Sequence, residues 1–498
     1  MYYGRLYLQN IHLGPAFIIT NWEMLMAEPS SAKIVAGHKL RRLRSSLKLT
    51  QAEMANELGI SASYLNLLEN NARPVTVPIL YRLGRTYDFD LRDFADDDSL
   101  RMTSVLKEVF ADQVFEDVAM SRRDIQLLAN QHPSAAEALI SLHRSYDLMR
   151  DAAYGGEQKD ENFLSPRPIE SVRELLETSN NYFPELEEAA ADCVQRINLS
   201  PGKKLYQLIE HLEQKYDVAT RILPTDVMGN LLRDFNQHRK QLLLSESLKE
   251  SQRLFQVAAQ IGLLGYSDSV NNIATSAKCE DEDTENLLRM TLSSYFAGAV
   301  MMPYGTFLEA AQETRHDLDT LSSRFTASFE QVCHRLTTLK RSDERGIPFF
   351  FLRVNEAGYI SKRLSAGDME FARNGGGCGR WIPHQAFRNS GAISVQAASL
   401  EEGQKLLTIA RTCLAPRTQP AHYGTPMYVV ALGCDLKFAK NICYADSFVN
   451  AKTTALTPIG LGCHICERQN CQHRGSPPRG HKLRFDISRR HSGLFTSG

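Results

Sequence analysis

The chain has 498 residues, too many for one hydrophobic core, and typical domain sizes divide it into about three or four units. Its 43% apolar and 23% charged content is that of an ordinary globular protein, and a net charge of -1 excludes a chain-wide coat for nucleic acid or membrane while leaving room for local patches. No run approaches the ~18 consecutive apolar residues of a membrane span.

Residues 1–30 lack the basic opening, apolar run and small-residue cleavage site of a signal peptide, so they read as an extension without a role and the protein is expected to be cytoplasmic. A reducing cytosol keeps most of the ten cysteines as free thiols. The isolated ones then read as small buried apolar residues, and a cluster of them as metal or redox chemistry.

The first organised segment, residues 31–96, contains "KLRRLRSSLKLTQAEMANELGISASYLNLLENNARPV". Leu40, Leu43 and Leu47 fall at helical spacing, Thr50 and Glu53 form a T-x-x-E capping box, Gly59 stops the second helix and Ser61 caps a third. Two short helices around a glycine-containing turn make a helix-turn-helix. In the third helix Ala62, Leu65 and Leu68 are expected to face the core, leaving Ser63, Tyr64, Asn66 and Asn70 for the major groove. Lys33, Lys39, Arg41, Arg42, Arg44 and Lys48 supply a basic patch with no acid between Lys33 and Glu53.

Leu49 to Pro74 resembles the DNA-binding domains of the XRE family through Gln51, Ala55, Gly59, Ser61, Ser63, Tyr64, Glu69, Arg73 and Pro74. The resemblance implies that Gln51 and the polar face from Ser61 to Asn70 touch an operator in double-stranded DNA. With Arg42 and Arg73 these are the candidate DNA-binding residues. Such modules read palindromes as dimers, so a homodimer or higher homo-oligomer is expected.

Residues 97–165 read as a helical connector ending in the linker "YGGEQKDENFLSPRP". Residues 166–315 are mainly helical with one strand-like run, "KQLLLSESL". This order resembles the ImmA/IrrE peptidase-like family, in which a strand precedes a helix bearing HExxH. There two histidines on one helical face hold zinc and the glutamate serves as base. Here Ala259, Gln260, Ile261, Gly262 and Leu263 take its place. Alanine and leucine cannot ligate zinc and an amide cannot take the proton, so the region reads as a degenerate scaffold and the chain as a non-enzyme. A metallopeptidase is the alternative.

Residues 316–498 read as an α+β domain. "IPFFFLRVNEAGYISKRLSA" suggests two strands joined by a turn around Asn355 to Gly358, and "GAISVQAASL" and "PMYVVALGCDL" suggest more. The fold class is therefore multidomain: an α-rich first two-thirds, then an α+β domain. Cys463, Cys466 and Cys471 have the spacing C-x2-C-x4-C, which puts three thiolates on one compact loop. A fourth ligand from His464 or His473 favours zinc; Cys378, set in Gly-Gly-Gly-Cys-Gly, favours an all-thiolate iron-sulfur cluster of the 4Fe-4S kind. Cys378 is preferred, because a cysteine in such a glycine loop is hard to explain as core packing. Free or redox-active thiols remain the third reading.

The whole order, ending in "GCHICERQNCQHRGSPP", resembles the short-chain fatty acyl-CoA transcriptional regulators over about residues 30–490. That resemblance implies a regulator of propionate or acetate metabolism whose C-terminal half senses a short-chain acyl-CoA. An iron- or redox-sensing transcription factor is the alternative. The chain has no G-x-x-x-x-G-K-[ST] loop, so dispersed cations among Arg353, Lys362, Arg363, Arg380 and Arg388 must meet the CoA phosphates, with Arg380 and Trp381 as the candidate ligand contacts.

Overall fold

The computed structural model describes residues 37–47, 49–69, 73, 75–87, 98–115, 118, 120–155, 168–279, 281–365, 377–401, 403–418, 424–449, 455–463, 466, 468 and 471–475. The expected extension at 1–30 and most of the linker lie outside these. The chain divides into two units, residues 1–97 and 98–498.

In the first unit α1 (Gly37–Ser46), α2 (Gln51–Glu57), α3 (Ala62–Glu69) and α4 (Val77–Tyr87) enclose Leu40, Met54, Leu58, Leu65, Leu68 and Leu83, all essentially inaccessible to solvent. Thr50 and Glu53 form the expected capping box, each satisfying a backbone N–H that the first turn of α2 leaves without a helical partner. Gly59 takes φ +63°, the left-handed conformation that lets α2 end and the chain turn into α3. Ser61 then accepts the Tyr64 N–H at 3.1 Å. One expectation fails at a helix end: Ala62 is exposed because it opens α3 beyond the reach of the core; Leu47 is exposed too, just past the end of α1.

The second unit begins with α5 (Asp98–Phe110), α6 (Arg122–Gln131) and α7 (Pro133–Gly155), packed through Leu106, Val109, Ile125, Ala129, Ala136 and Ile140. Next come α8 (Pro168–Thr178), α9 (Pro184–Ile197), α10 (Lys204–Tyr216), β1 (Ala219–Leu223), α11 (Thr225–Met228), β2 (Arg233–Asn236) and β3 (Gln241–Ser245). The expected strand is β3. It lies between β1, parallel to it, and β2, antiparallel to it. Helices α12 (Glu250–Gly265), α13 (Ser267–Ser276), α14 (Glu282–Met301), α15 (Tyr304–Glu313), α16 (Leu318–Phe325) and α17 (Phe329–Leu336) complete the helical body.

An ion pair is buried inside this body. Glu187 of α9 accepts two bonds from the Arg335 guanidinium of α17, at 2.6 and 2.8 Å, and one from the Tyr295 hydroxyl of α14, at 2.6 Å. Arg335 also donates to the Met302 carbonyl and the Thr338 hydroxyl. Burial works against the Glu187 carboxylate, but Arg335 outweighs it and holds the pKa below the ordinary value.

The C-terminal sheet contains β4 (Phe350–Asn355), β5 (Ile360–Ser365), β6 (Ser394–Ser399), β7 (Lys405–Leu414), β8 (Met427–Asp435) and β9 (Thr457–Pro458), in the order β5-β4-β8-β7-β6-β9. Short helices α18 (Ile382–Gln385) and α19 (Asp446–Val449) lie in its connections. Alternation along the strands separates two faces. Phe351, Leu364, Leu407, Ile409, Val430 and Leu432 join the core of the helical body; Phe350, Leu352, Leu406, Ala410, Val429 and Ala431 pack with Trp381, Ala386 and Ile459.

Replacing Arg335 by Met leaves Glu187 desolvated without its partner. It should cost about 3–5 kcal/mol, read from the denaturant midpoint, and Glu187→Gln with Arg335→Met should recover part of that loss. Because the folded Glu187 pKa is depressed, its contribution is present above the ordinary carboxylate value and disappears as pH falls through the folded value. Acid should therefore destabilise the native protein more than the double variant.

Candidate nucleic-acid interface and cysteine site

The surface of α3 is organised from beneath by one acid. Glu69 is 4% exposed and accepts from Arg44 at 2.7 and 3.2 Å and from the Gln51 amide at 2.7 Å, with Arg41 at 3.7 Å. Burial opposes the charge, but the Arg44 and Gln51 hydrogen bonds prevail and keep the Glu69 pKa low. Three helices are thereby tied at one point: α1 through Arg44, α2 through Gln51 and α3 through Glu69. Gln51 also donates to Asn66 Oδ1 at 3.4 Å, so its amide nitrogen is engaged in orienting the α3 surface.

Ser63 and Asn66 are exposed on α3, and Arg73 is exposed just after it. Tyr64 is half-buried against the core, and Ser61 is occupied as a cap. Asn70 and the Arg42 side chain lie outside the described residues. The structure thus joins Gln51 to Asn66 on the exposed side of α3, with Ser63 exposed on the same helix, while Arg41 and Arg44 of α1 approach Glu69. Arg44 and Glu69 carry this geometry; the sequence offers the first only as part of the basic patch and the second only as part of the XRE-like segment, because their meeting across 25 residues is not a local pattern.

At the other end of the chain the cysteine loop is built on arginines. Arg474 donates to the carbonyls of Cys463, Cys466 and Arg468 at 2.7–2.8 Å, and Arg468 to those of Ile459 and Ser399. The Gly475 N–H points at Cys463 Sγ at 3.4 Å. Cys466 Sγ donates to Glu401 at 3.1 Å; burial first, then that carboxylate, push its thiol up to about 12. Cys378 packs in the same apolar cluster as Ile459 and Leu461, just ahead of Cys463. Beside it, a β-carbon on Gly377 would collide with His384 Nε2, a buried nitrogen without a hydrogen-bond partner.

An iron-sulfur centre fits this region in donor chemistry: soft thiols, an N–H aimed at sulfur and an orphaned buried nitrogen beside Cys378. The placement is not that of a closed site, because among the described residues no three His, Cys, Asp or Glu side chains come together to hold a metal ion. His464 is outside the described residues.

The isolated cysteines include buried Cys193, Cys333 and Cys434, as expected of small core residues, and burial raises all three thiols. Trp381 is corrected: its indole is 2% exposed and donates to Thr408 at 3.1 Å, so it belongs to the core and offers no stacking face. Arg380 is half-buried, and its carbonyl accepts from Gln396. In the degenerate motif, Ala259, Gln260, Ile261 and Gly262 are buried along α12.

A helix-turn-helix with an ordered polar recognition face, joined to a helical body and a six-stranded sheet domain, defines a DNA-binding transcriptional regulator. Family models agree: residues 36–96 match a helix-turn-helix domain, 213–337 the IrrE N-terminal-like domain, and 338–495 the C-terminal domain of the short-chain fatty acyl coenzyme A regulators. The chain is 33% identical to the HTH-type transcriptional regulators RamB and PrpR of Mycobacterium tuberculosis, over 92% and 94% of its length and 98% and 97% of theirs. It is 35% identical to the propionyl-CoA carboxylase regulator of Cereibacter sphaeroides, over 92% of this chain and 97% of that one. A solved Mycobacterium tuberculosis transcriptional regulator superposes with TM-score 0.62 at 34% identity, covering 66% of this chain and all of that one. The chain belongs to the short-chain fatty acyl coenzyme A regulator family.

Replacing Glu69 by Ala strands the partly buried Arg44 and frees Gln51. It should lower the stability of the helix-turn-helix by about 1.5–3 kcal/mol, measured by thermal melting, and weaken operator binding through lost geometry.

Proposed function

We propose that this protein is a cytoplasmic homodimer that binds an operator through α2 and α3 and changes its affinity on binding a short-chain acyl-CoA, controlling propionate or acetate metabolism. The observation that carries the DNA-binding part is the ordered Gln51–Asn66–Ser63 patch held from beneath by Glu69. Full-length similarity to regulators, one of them named for propionyl-CoA carboxylase, supports the metabolic assignment. The substitutions at Ala259, Gln260 and Leu263 remove the ligands and base of a zinc peptidase and favour a regulator over an enzyme.

Cys378, Cys463, Cys466 and Cys471 are assigned as ligands of an iron-sulfur cluster, with zinc as the alternative metal. The N–H directed at Cys463 and the shared apolar packing of Cys378 and Leu461 support the assignment. When bound, the cluster would supply redox- and iron-dependent crosslinking of the glycine loop to the C-terminal loop. The protein's own part is to exclude water around Cys378 and to fix the loop backbone through Arg474.

Asn66→Ala or Ser63→Ala should weaken operator binding by about 1–3 kcal/mol while leaving non-specific binding and its salt dependence unchanged. A propionyl-CoA titration of the protein–operator complex should shift its affinity; identical binding across short-chain thioesters refutes the sensing role. Protein purified without oxygen should be brown, and Cys378→Ser or Cys463→Ser should bleach it. Stoichiometric zinc without visible absorption decides for zinc, and full occupancy in Cys378→Ser removes that residue from the ligand set.

A further inference from the structure

Along most of the seam between the helical body and the sheet, apolar side chains meet. Near α17 that pattern changes. The sheet face that carries Phe351 and Leu364 also carries Arg353 and Lys362, which are cross-strand partners on β4 and β5. Facing them, α17 brings Glu330 and, one turn later, His334, whose ring stands edge-on to Phe351 at 6.0 Å. The Arg353 guanidinium lies 3.9 Å over the Tyr428 ring and 3.5 Å from Glu330. The other oxygen of Glu330 accepts the Tyr428 hydroxyl at 2.7 Å, so the carboxylate is already engaged on both sides.

Lys362 and His334 are left over. Lys362 is exposed and His334 half-buried, yet surrounding protein depresses both pKa values, as expected of groups lining an open crevice. Among the described residues neither side chain has a hydrogen-bond or ion-pair partner. Arg411, on the same face, is paired with Asp319 at 2.6 Å. Two cations and an imidazole therefore surround one committed acid, with unused donors open to water. Glu330 acts on Lys362 only as a neighbouring charge, so the ammonium keeps its donors for an incoming anion, and charge-assisted bonds to one are stronger than those to water.

We propose that this crevice is a phosphate-binding site, with Lys362 and Arg353 pairing the phosphate oxygens and His334 donating a further hydrogen bond. The site deepens the acyl-CoA reading and rests on it for the identity of the occupant: the pyrophosphate or phosphomonoester of a CoA thioester. Its position gives the ligand leverage. An anion held there grips α17 on the helical side and the β4–β5 hairpin on the sheet side, so occupancy favours one arrangement of the seam.

The test uses the full-length protein, calorimetric titration with inorganic pyrophosphate and separately with propionyl-CoA, and the variants Lys362→Met, Lys362→Arg and His334→Gln. Lys362→Met keeps the aliphatic stem, and a thermal melt matching wild type certifies its fold. The expected result is a loss of about tenfold in affinity for both ligands in Lys362→Met, a smaller loss in His334→Gln, and near-complete rescue in Lys362→Arg. Unchanged propionyl-CoA affinity in a folded Lys362→Met overturns the crevice while leaving the effector reading intact. Lys362-dependent binding of pyrophosphate by a protein that binds no acyl-CoA supports the crevice and overturns the effector reading. Binding of neither ligand by wild type overturns both.

Discussion

The second unit depends on the charge pair between Glu187 and Arg335. These residues are 148 positions apart, and their side chains are 3% and 2% exposed. With Tyr295 they join α9, α14 and α17, and through the Met302 carbonyl they also fix the end of α14. A buried pair of this kind is a weak net source of stability, because desolvating two charges costs nearly what their attraction returns. Its effect is selective: any packing that separates the partners leaves a bare charge in an apolar interior. The pair therefore excludes alternative arrangements of the helices that present α17 to the sheet.

The first unit uses the same device on a smaller scale. Glu69 lies under the recognition helix and is claimed by α1 and α2 at once, so the exposed residues of α3 are displayed on a surface whose shape is set from below. In the degenerate peptidase region, by contrast, the position that a zinc site would occupy has become core. The scaffold is kept for its packing: α12 lies against α14, and the helical body provides a wall for the C-terminal sheet.

The features that were legible in the amino-acid sequence are local. The Thr50–Glu53 capping box, the turn at Gly59, the hairpin turning at Gly358 and the strands β3, β6 and β8 can all be read from a few neighbouring residues. Strand β7, the longest in the sheet, was not legible. "KLLTIARTCL" is buried on both faces and so lacks the alternation that marks a half-exposed strand. The short strands β1 and β2 escaped for other reasons: "ATRIL" has adjacent rather than alternating apolar residues, and "RDFN" is too polar to show an apolar period. Trp381 illustrates a further limit: an aromatic beside an arginine looks like a ligand contact until the partner of its N–H, Thr408, 27 residues away, is known.

By itself, then, the sequence determined the class of the protein and the chemistry at hand: a helix-turn-helix with its caps and polar face, a peptidase scaffold stripped of its zinc ligands, and a loop dense in thiols. Those properties follow from residue type and short spacing, which act through bonds and turns a few residues long. The tertiary structure alone decided which carboxylates are buried with which arginines, which aromatic side chains are core, and that the Arg353–Lys362 cross-strand pair and His334 belong to one seam. These are meetings of residues distant in the chain, brought about by packing of the whole unit, and no local pattern encodes them.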